Sequence, residues 1–87
     1  MTAEFPATHL PFEHRIEINL TLKTERYAVV RMLDERSRIV RMVGWELKAG
    51  SNKIALSDLQ DLPAGEYKVQ ITGHDGALLY LAYFDKR

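Results

Sequence analysis

Residues 62–73 read LPAGEYKVQITG and combine a sharp turn with an alternating strand. The proline fixes φ at about −65° and the glycine can adopt a positive φ, which together are typical of a tight turn. After the turn, apolar and polar residues alternate with a period of two, which predicts a strand with one apolar face. The apolar face would carry Tyr67, Val69 and Ile71.

The same period of two recurs on both sides of this stretch. Residues 16–22 and 26–33 predict two earlier strands, and residues 73–76 predict a hairpin turn into a last strand over 77–85. Six or seven short strands at a spacing of about 8–12 residues, without a long helical period, are typical of an antiparallel, immunoglobulin-like β-sandwich. We therefore predict an all-β fold, with an N-terminal lead-in over residues 1–14 and the sandwich over 15–87.

Length and composition narrow the class of protein. The chain has 87 residues, which is enough for one domain, and its 12 basic and 12 acidic side chains cancel to a net charge of +0. Such a balance gives no general attraction to phosphate, so nucleic acid is not an expected partner. Cysteine is absent, which excludes disulfides and thiolate metal sites. No apolar run predicts membrane insertion, and the first twenty residues do not resemble a signal peptide.

The three histidines give weak evidence for chemistry. A metal site would need His9 or His14 to combine with Glu13, or His74 with Asp75, but the spacing of these residues matches no zinc motif. Solvated loop histidines are the favoured interpretation. Asp58, Asp61 and Glu66 similarly fit turn and cap positions better than a calcium loop or an acid–base pair. The sequence therefore predicts no catalytic residue, no cofactor and no metal.

Basic residues are concentrated between Lys23 and Lys53. A stripe of arginines on paired strands would suit an anionic glycan or lipid head group. The alternative is a solvated strand face on which long basic side chains protect a sheet edge, and the spacing favours this alternative. The candidate anion-binding residues are Arg26, Arg31, Arg38 and Arg41.

The last predicted strand is apolar on both faces. In a strand with one solvent-exposed face, apolar and polar residues alternate. The second face of the last strand is therefore either covered by the lead-in, through Phe5, Leu10 and Phe12, or offered to a partner. Both alternatives stay open, and the second would suit a homodimer or a different protein partner. The second face comprises Leu79, Leu81 and Tyr83, and Val29, Leu33 and Trp45 would extend it.

The order of short segments along the chain resembles the C-terminal sorting domain of proteins exported by the type IX secretion system of Bacteroidetes. It also resembles the immunoglobulin-like domain of flagellar hook-capping proteins and small secreted proteins of Bacteroidetes that consist of one sandwich. Members of the sorting family commonly have glycine at the position of Ser37. The segments are residues 5–8 (FPAT), 32–34 (MLD), 38–40 (RIV), 47–52 (LKAGSN), 62–67 (LPAGEY) and 76–80 (GALLY).

The resemblance implies a function in recognition rather than catalysis. In the family the domain ends a secreted protein and is read by an outer-membrane translocon, so a protein partner and a location outside the cell or on its surface are expected. No enzymatic activity is expected. The alternative is a small stand-alone sandwich that binds an anionic glycan or lipid through the arginines.

Overall fold

A computed structural model describes residues 9–87, which form seven β-strands. Within these residues there is no helix, and therefore none that is long and apolar enough to cross a membrane. The strands are β1 (His9–Phe12), β2 (Ile16–Leu22), β3 (Arg26–Leu33), β4 (Ile39–Leu47), β5 (Gly50–Leu56), β6 (Gly65–Gly73) and β7 (Leu78–Lys86).

The strands form two sheets, which confirms the predicted β-sandwich. One sheet has five strands in the order β1-β7-β6-β3-β4, and the other pairs β2 with β5. All pairings are antiparallel except that of β1 with β7, which is parallel. The last part of the predicted lead-in thus contributes an edge strand, while Phe5 and the rest of residues 1–8 lie outside the described part of the chain.

The core lies between the two sheets and follows the alternation of the sequence. Every second residue of β2, β3 and β6 faces inward, where an apolar side chain loses its contact with water. Two leucines of the β5–β6 connection, Leu59 and Leu62, close one end of the sandwich as expected. The inward positions include Ile16 and Ile18 of β2, Ala28, Val30 and Met32 of β3, and Tyr67, Val69 and Ile71 of β6.

A tyrosine corner fixes the turn that precedes β6. Tyr67 is buried near the start of this strand, and its hydroxyl donates a hydrogen bond to the Pro63 carbonyl oxygen, 2.7 Å away. This bond across four residues is a hallmark of immunoglobulin-like sandwiches. Burial removes the water that would otherwise hydrogen-bond the hydroxyl, and the Pro63 carbonyl takes the place of that water.

Replacing the corner tyrosine tests how much this bond stabilises the fold. Tyr67→Phe keeps the ring but leaves the Pro63 carbonyl without its donor, so we expect the free energy of unfolding to fall by about 1 kcal/mol. Urea denaturation followed by tryptophan fluorescence measures the change. Tyr83→Phe is the matched control, because the Tyr83 side chain is half-buried on the other face of the sheet. An equal loss in both variants would contradict the assigned role.

Two β-bulges interrupt the alternation of the five-stranded sheet. In β4 the pairing passes from Arg41 to Ile39, so Val40 is an extra residue opposite β3. In β7 the pairing passes from Tyr80 to Leu78, so Leu79 is an extra residue opposite β6. Both extra residues are partly buried and pack against the core. The bulges therefore change which side chains reach the outer face of this sheet.

Candidate functional site

The outer face of the five-stranded sheet, which points away from β2 and β5, carries four of the six residues predicted to form an apolar second face. Leu81 and Tyr83 lie on β7, and Val29 and Leu33 lie on β3, each half-buried. Because β6 runs between these strands, its outward residues separate the two pairs. The face therefore has two apolar bands separated by a polar row of Lys68, Gln70 and Thr72, and Arg31 interrupts the band on β3 between Val29 and Leu33.

Leu79 and Trp45 do not join these bands, contrary to the sequence prediction. Strict alternation placed Leu79 on one face with Leu81 and Tyr83, but the bulge in β7 lets it pack against the core. Trp45 pairs with the inward-facing Ala28 and also packs against the core. The outer face of β7 is consequently narrower than predicted, and no strand within residues 9–87 covers it, since β1 lies beside β7.

The β4 edge, defined by Ile39, Met42 and Val43, is the most exposed apolar region among the described residues. Their side chains are 51%, 62% and 37% exposed, respectively. β4 pairs only with β3, so the other side of its backbone has no strand partner in residues 9–87. Met42 pairs with the outward-facing Arg31 and points outward, whereas Val40 is the extra residue of the bulge and packs against the core.

Tyr27 enlarges the apolar surface beside this edge. Its phenol lies over Gly44 of β4, in the space that any larger side chain at that position would fill. The absence of a side chain at Gly44 permits this close approach. The tyrosine ring remains half-exposed. It therefore adds an aromatic surface across β3 and β4, next to Met42.

The arginine stripe predicted from the sequence does not form, because its four members point to different places. Arg31 lies on the outer face and Arg41 on the inward side of β4, while Arg26 begins β3 and Arg38 follows the β3–β4 turn. Three of the guanidinium groups pair with an aspartate and that of Arg31 donates to a threonine hydroxyl, so the four do not converge on one anion-binding surface. The pairs are Arg26 with Asp75 (3.9 Å), Arg31 with Thr72 (2.8 Å), Arg38 with Asp34 (2.8 Å) and Arg41 with Asp61 (3.1 Å).

Asp34 organises the β3–β4 turn beside the β4 edge. Its Oδ1 atom accepts hydrogen bonds from the backbone N–H groups of Arg36 and Arg38, and its Oδ2 atom accepts one from Nε of Arg38. These bonds, led by the one from the Arg38 backbone, hold the pKa of the Asp34 carboxyl below its usual value of 3.8. The turn also contains Ser37 with a φ of 62°, a conformation that favours glycine.

The lowered pKa of Asp34 predicts a loss of stability in acid. A carboxyl whose pKa is lower in the folded state contributes stability above its unfolded pKa and loses it as pH falls through the folded value. We therefore expect the difference in melting temperature between the wild type and Asp34→Asn to shrink as pH falls below 3.8. Thermal denaturation over a pH series measures it. An equal trend for Asp61→Asn, which alters a largely exposed carboxylate, would contradict the assignment to this turn.

One histidine lies in a cluster that the sequence analysis missed. His14 and His74 are exposed, as expected of solvated histidines. His9 instead lies beside Glu66 and Asp85, and its hydrogen bond to Asp85 raises the pKa of the imidazole above the usual value. These three residues can hold a metal ion. No local signal predicts the cluster, because Asp85 is 76 residues away in sequence and only the pairing of β1 with β7 brings the two together.

The architecture defines the chain as a seven-stranded β-sandwich with an exposed apolar sheet edge. No protein-family model matches this sequence, and no curated protein is significantly similar to it.

Proposed function

We propose that this chain is a non-enzymatic protein-recognition module of the sorting-domain type. It would bind an outer-membrane secretion translocon and so reach the cell surface or the exterior. The observation that carries the proposal is the β4 edge. An unpaired strand offers backbone N–H and C=O groups to a partner strand, and natural proteins usually protect such edges with charge or proline. β4 has no proline, its two charged residues are Glu46 and Arg41, of which Arg41 is paired with Asp61, and Ile39, Met42 and Val43 are exposed on it.

The outer face supplies a second contact region. The exposed ring of Tyr27 lies on the same outer face as Val29 and Leu33 of β3, the strand next to β4. One partner can therefore contact the β4 edge and the apolar band of β3 together. The geometry of Ser37 also supports the resemblance to the sorting family. Members of that family commonly have glycine at this position, and the φ of 62° is one that glycine adopts most easily.

A secretion assay tests the proposal. Residues 1–87 are fused to the C-terminus of a periplasm-directed reporter and expressed in a Bacteroidetes host with a functional type IX system and in a matched translocon mutant. We expect the reporter to reach the surface only in the host with the functional system. Surface reporter at equal levels in both hosts, or in neither, would overturn the sorting function.

Met42→Asp tests whether the β4 edge is the contact. The Met42 side chain is 62% exposed, so the charge should leave the fold intact while desolvation of the carboxylate prevents docking. We expect the charge to weaken docking at least about tenfold, corresponding to about 1.4 kcal/mol, and the amount of surface reporter to fall with it. Leu10→Asp is the matched control, since Leu10 is 46% exposed on β1 at the opposite edge of the same sheet. An equal loss in the control would contradict the assignment.

Leu81→Asp examines the apolar band of β7 in the same assay and by analytical ultracentrifugation. If this band is also a contact, the folded variant should lose partner capture or convert a dimer to a monomer. Unchanged association would exclude Leu81 from the interface, and unfolding would mean that the side chain acts as core. If partner binding weakens steeply as the salt concentration rises, the result would instead favour the alternative function, in which the arginines bind an anionic ligand.

A further inference from the structure

His9, Glu66 and Asp85 form a cluster of three side chains from three adjacent strands, β1, β6 and β7. The Nδ1 atom of His9 lies 3.0 Å from Oδ1 of Asp85 and 3.3 Å from Oε2 of Glu66. One ligand atom from each residue lies within 4.8 Å of the other two. The side chains are 34%, 48% and 52% exposed for His9, Glu66 and Asp85, so the cluster opens to solvent at the rim of the sheet.

These spacings fit a shared metal ion. Imidazole nitrogen and carboxylate oxygen bind Zn²⁺ at about 2.0–2.2 Å. Two ligands at that distance, separated by the angles of octahedral or tetrahedral coordination, lie about 2.8–3.6 Å apart. Both measured distances from the imidazole nitrogen fall in this range. These two distances are compatible with a shared ion, and all three side chains are exposed enough to adjust around it.

The charges of the cluster also favour a bound cation. Glu66 and Asp85 are directly opposite each other in the antiparallel pairing of β6 with β7. Two like charges in this relation destabilise a sheet. Within residues 9–87, the only ion-pair partner of either carboxylate is His9. A protonated imidazole balances only one of the two negative charges, whereas a divalent ion bound to all three groups balances both.

The histidine is already oriented for binding. Its ring stacks on the ring of Tyr83 at a centroid distance of 5.5 Å and an interplanar angle of 15°. The backbone pairing of His9 with Tyr83 fixes the strand that carries the imidazole. A ligand whose orientation is set by its neighbours loses less conformational freedom when an ion binds.

We propose that His9, Glu66 and Asp85 bind a divalent first-row transition-metal ion such as Zn²⁺, and that this ion fastens β1 to β6 and β7. The nitrogen ligand favours such an ion over Ca²⁺ and Mg²⁺, which prefer oxygen throughout. With three protein ligands, the ion keeps at least one position for water. Since its ligands come from three strands, binding stabilises the folded chain and has little counterpart in the unfolded one.

Metal titration of the full chain, prepared without a histidine tag, tests the site. Zinc chloride in neutral buffer should raise the melting temperature, and calcium chloride at the same concentration should not. Co²⁺ provides a second readout through the visible absorption of a nitrogen- and oxygen-ligated ion. His9→Gln should weaken Zn²⁺ binding by at least about tenfold, as expected from loss of a ligand. His74→Gln, at an exposed histidine in the β6–β7 turn, should bind like the wild type.

The carboxylates are tested by Glu66→Gln and Asp85→Asn, each of which should also weaken Zn²⁺ binding while the metal-free protein stays folded by circular dichroism. Equal zinc affinity in the wild type and His9→Gln would overturn the proposal. So would a zinc effect lost in His74→Gln but kept in His9→Gln, or a calcium effect as large as that of zinc. None of these outcomes depends on whether the chain recognises a secretion partner.

Discussion

Leu59→Ala should lower the free energy of unfolding by about 2–5 kcal/mol, the usual cost of removing a fully buried leucine side chain. Leu59 is 0% exposed, although it lies in the connection between β5 and β6 rather than in a strand. Its backbone N–H donates to the carbonyl of His14, which fixes the connection across the end of the sandwich. Because small domains have total stabilities of only about 5–15 kcal/mol, this loss is a large fraction of the whole.

Chemical denaturation of the wild type and the variant measures the difference. Leu78→Ala is the matched control, since it removes the same atoms from a side chain that is 45% exposed at the start of β7. We expect that control to cost less than about 1 kcal/mol, as for most surface substitutions. Similar losses at the two positions would show that Leu59 does not close the end of the core.

Phe12→Ala should have an effect of similar size, about 3–5 kcal/mol, and should also detach β1. Phe12 is buried and meets the rings of Tyr67 and Phe84 edge to face, at centroid distances of 5.9 and 6.3 Å. Such aromatic pairs stabilise beyond the area that they bury. β1 has only four residues and, within residues 9–87, pairs only with β7, so apart from the exposed contacts of His9 it depends on Phe12 for its attachment.

Amide hydrogen exchange distinguishes the two parts of this prediction. Global destabilisation raises exchange everywhere, whereas detachment of β1 removes protection first from the backbone groups that join β1 to β7. Leu10→Ala is the control, because Leu10 lies on the same strand and is 46% exposed. If Phe12→Ala kept full protection in β1, the aromatic contacts would not be what anchors this strand.

The alternation of residues predicted most of the sandwich. Ile16 and Ile18, Val30 and Met32 all face the core as their period of two requires. The turn before β6 was also predicted, since the proline and glycine of residues 62–67 restrict the backbone locally. These features depend on neighbours within a few residues, which is the range over which a sequence pattern is informative.

Features that depend on distant partners could not be predicted in the same way. Val40 and Leu79 form bulges only because of how β4 and β7 pair with their neighbours, and nothing in the alternation marks either one. The exposed edge at β4 was not predicted either, because only the strand order shows that β4 has no neighbour beyond β3 within residues 9–87. The cluster of His9, Glu66 and Asp85 likewise required the strand order before it could be recognised.

The parallel pairing of β1 with β7 has a mechanical consequence. β1 begins opposite Tyr83 and ends opposite Lys86. The N-terminal end of β1 and the C-terminal end of β7 therefore lie at opposite ends of this strand pair. Tension applied between the two termini would slide the strands past each other and load their hydrogen bonds simultaneously, instead of peeling them apart one by one. The parallel pairing of β1, the shortest strand, should therefore resist force applied along the strand direction.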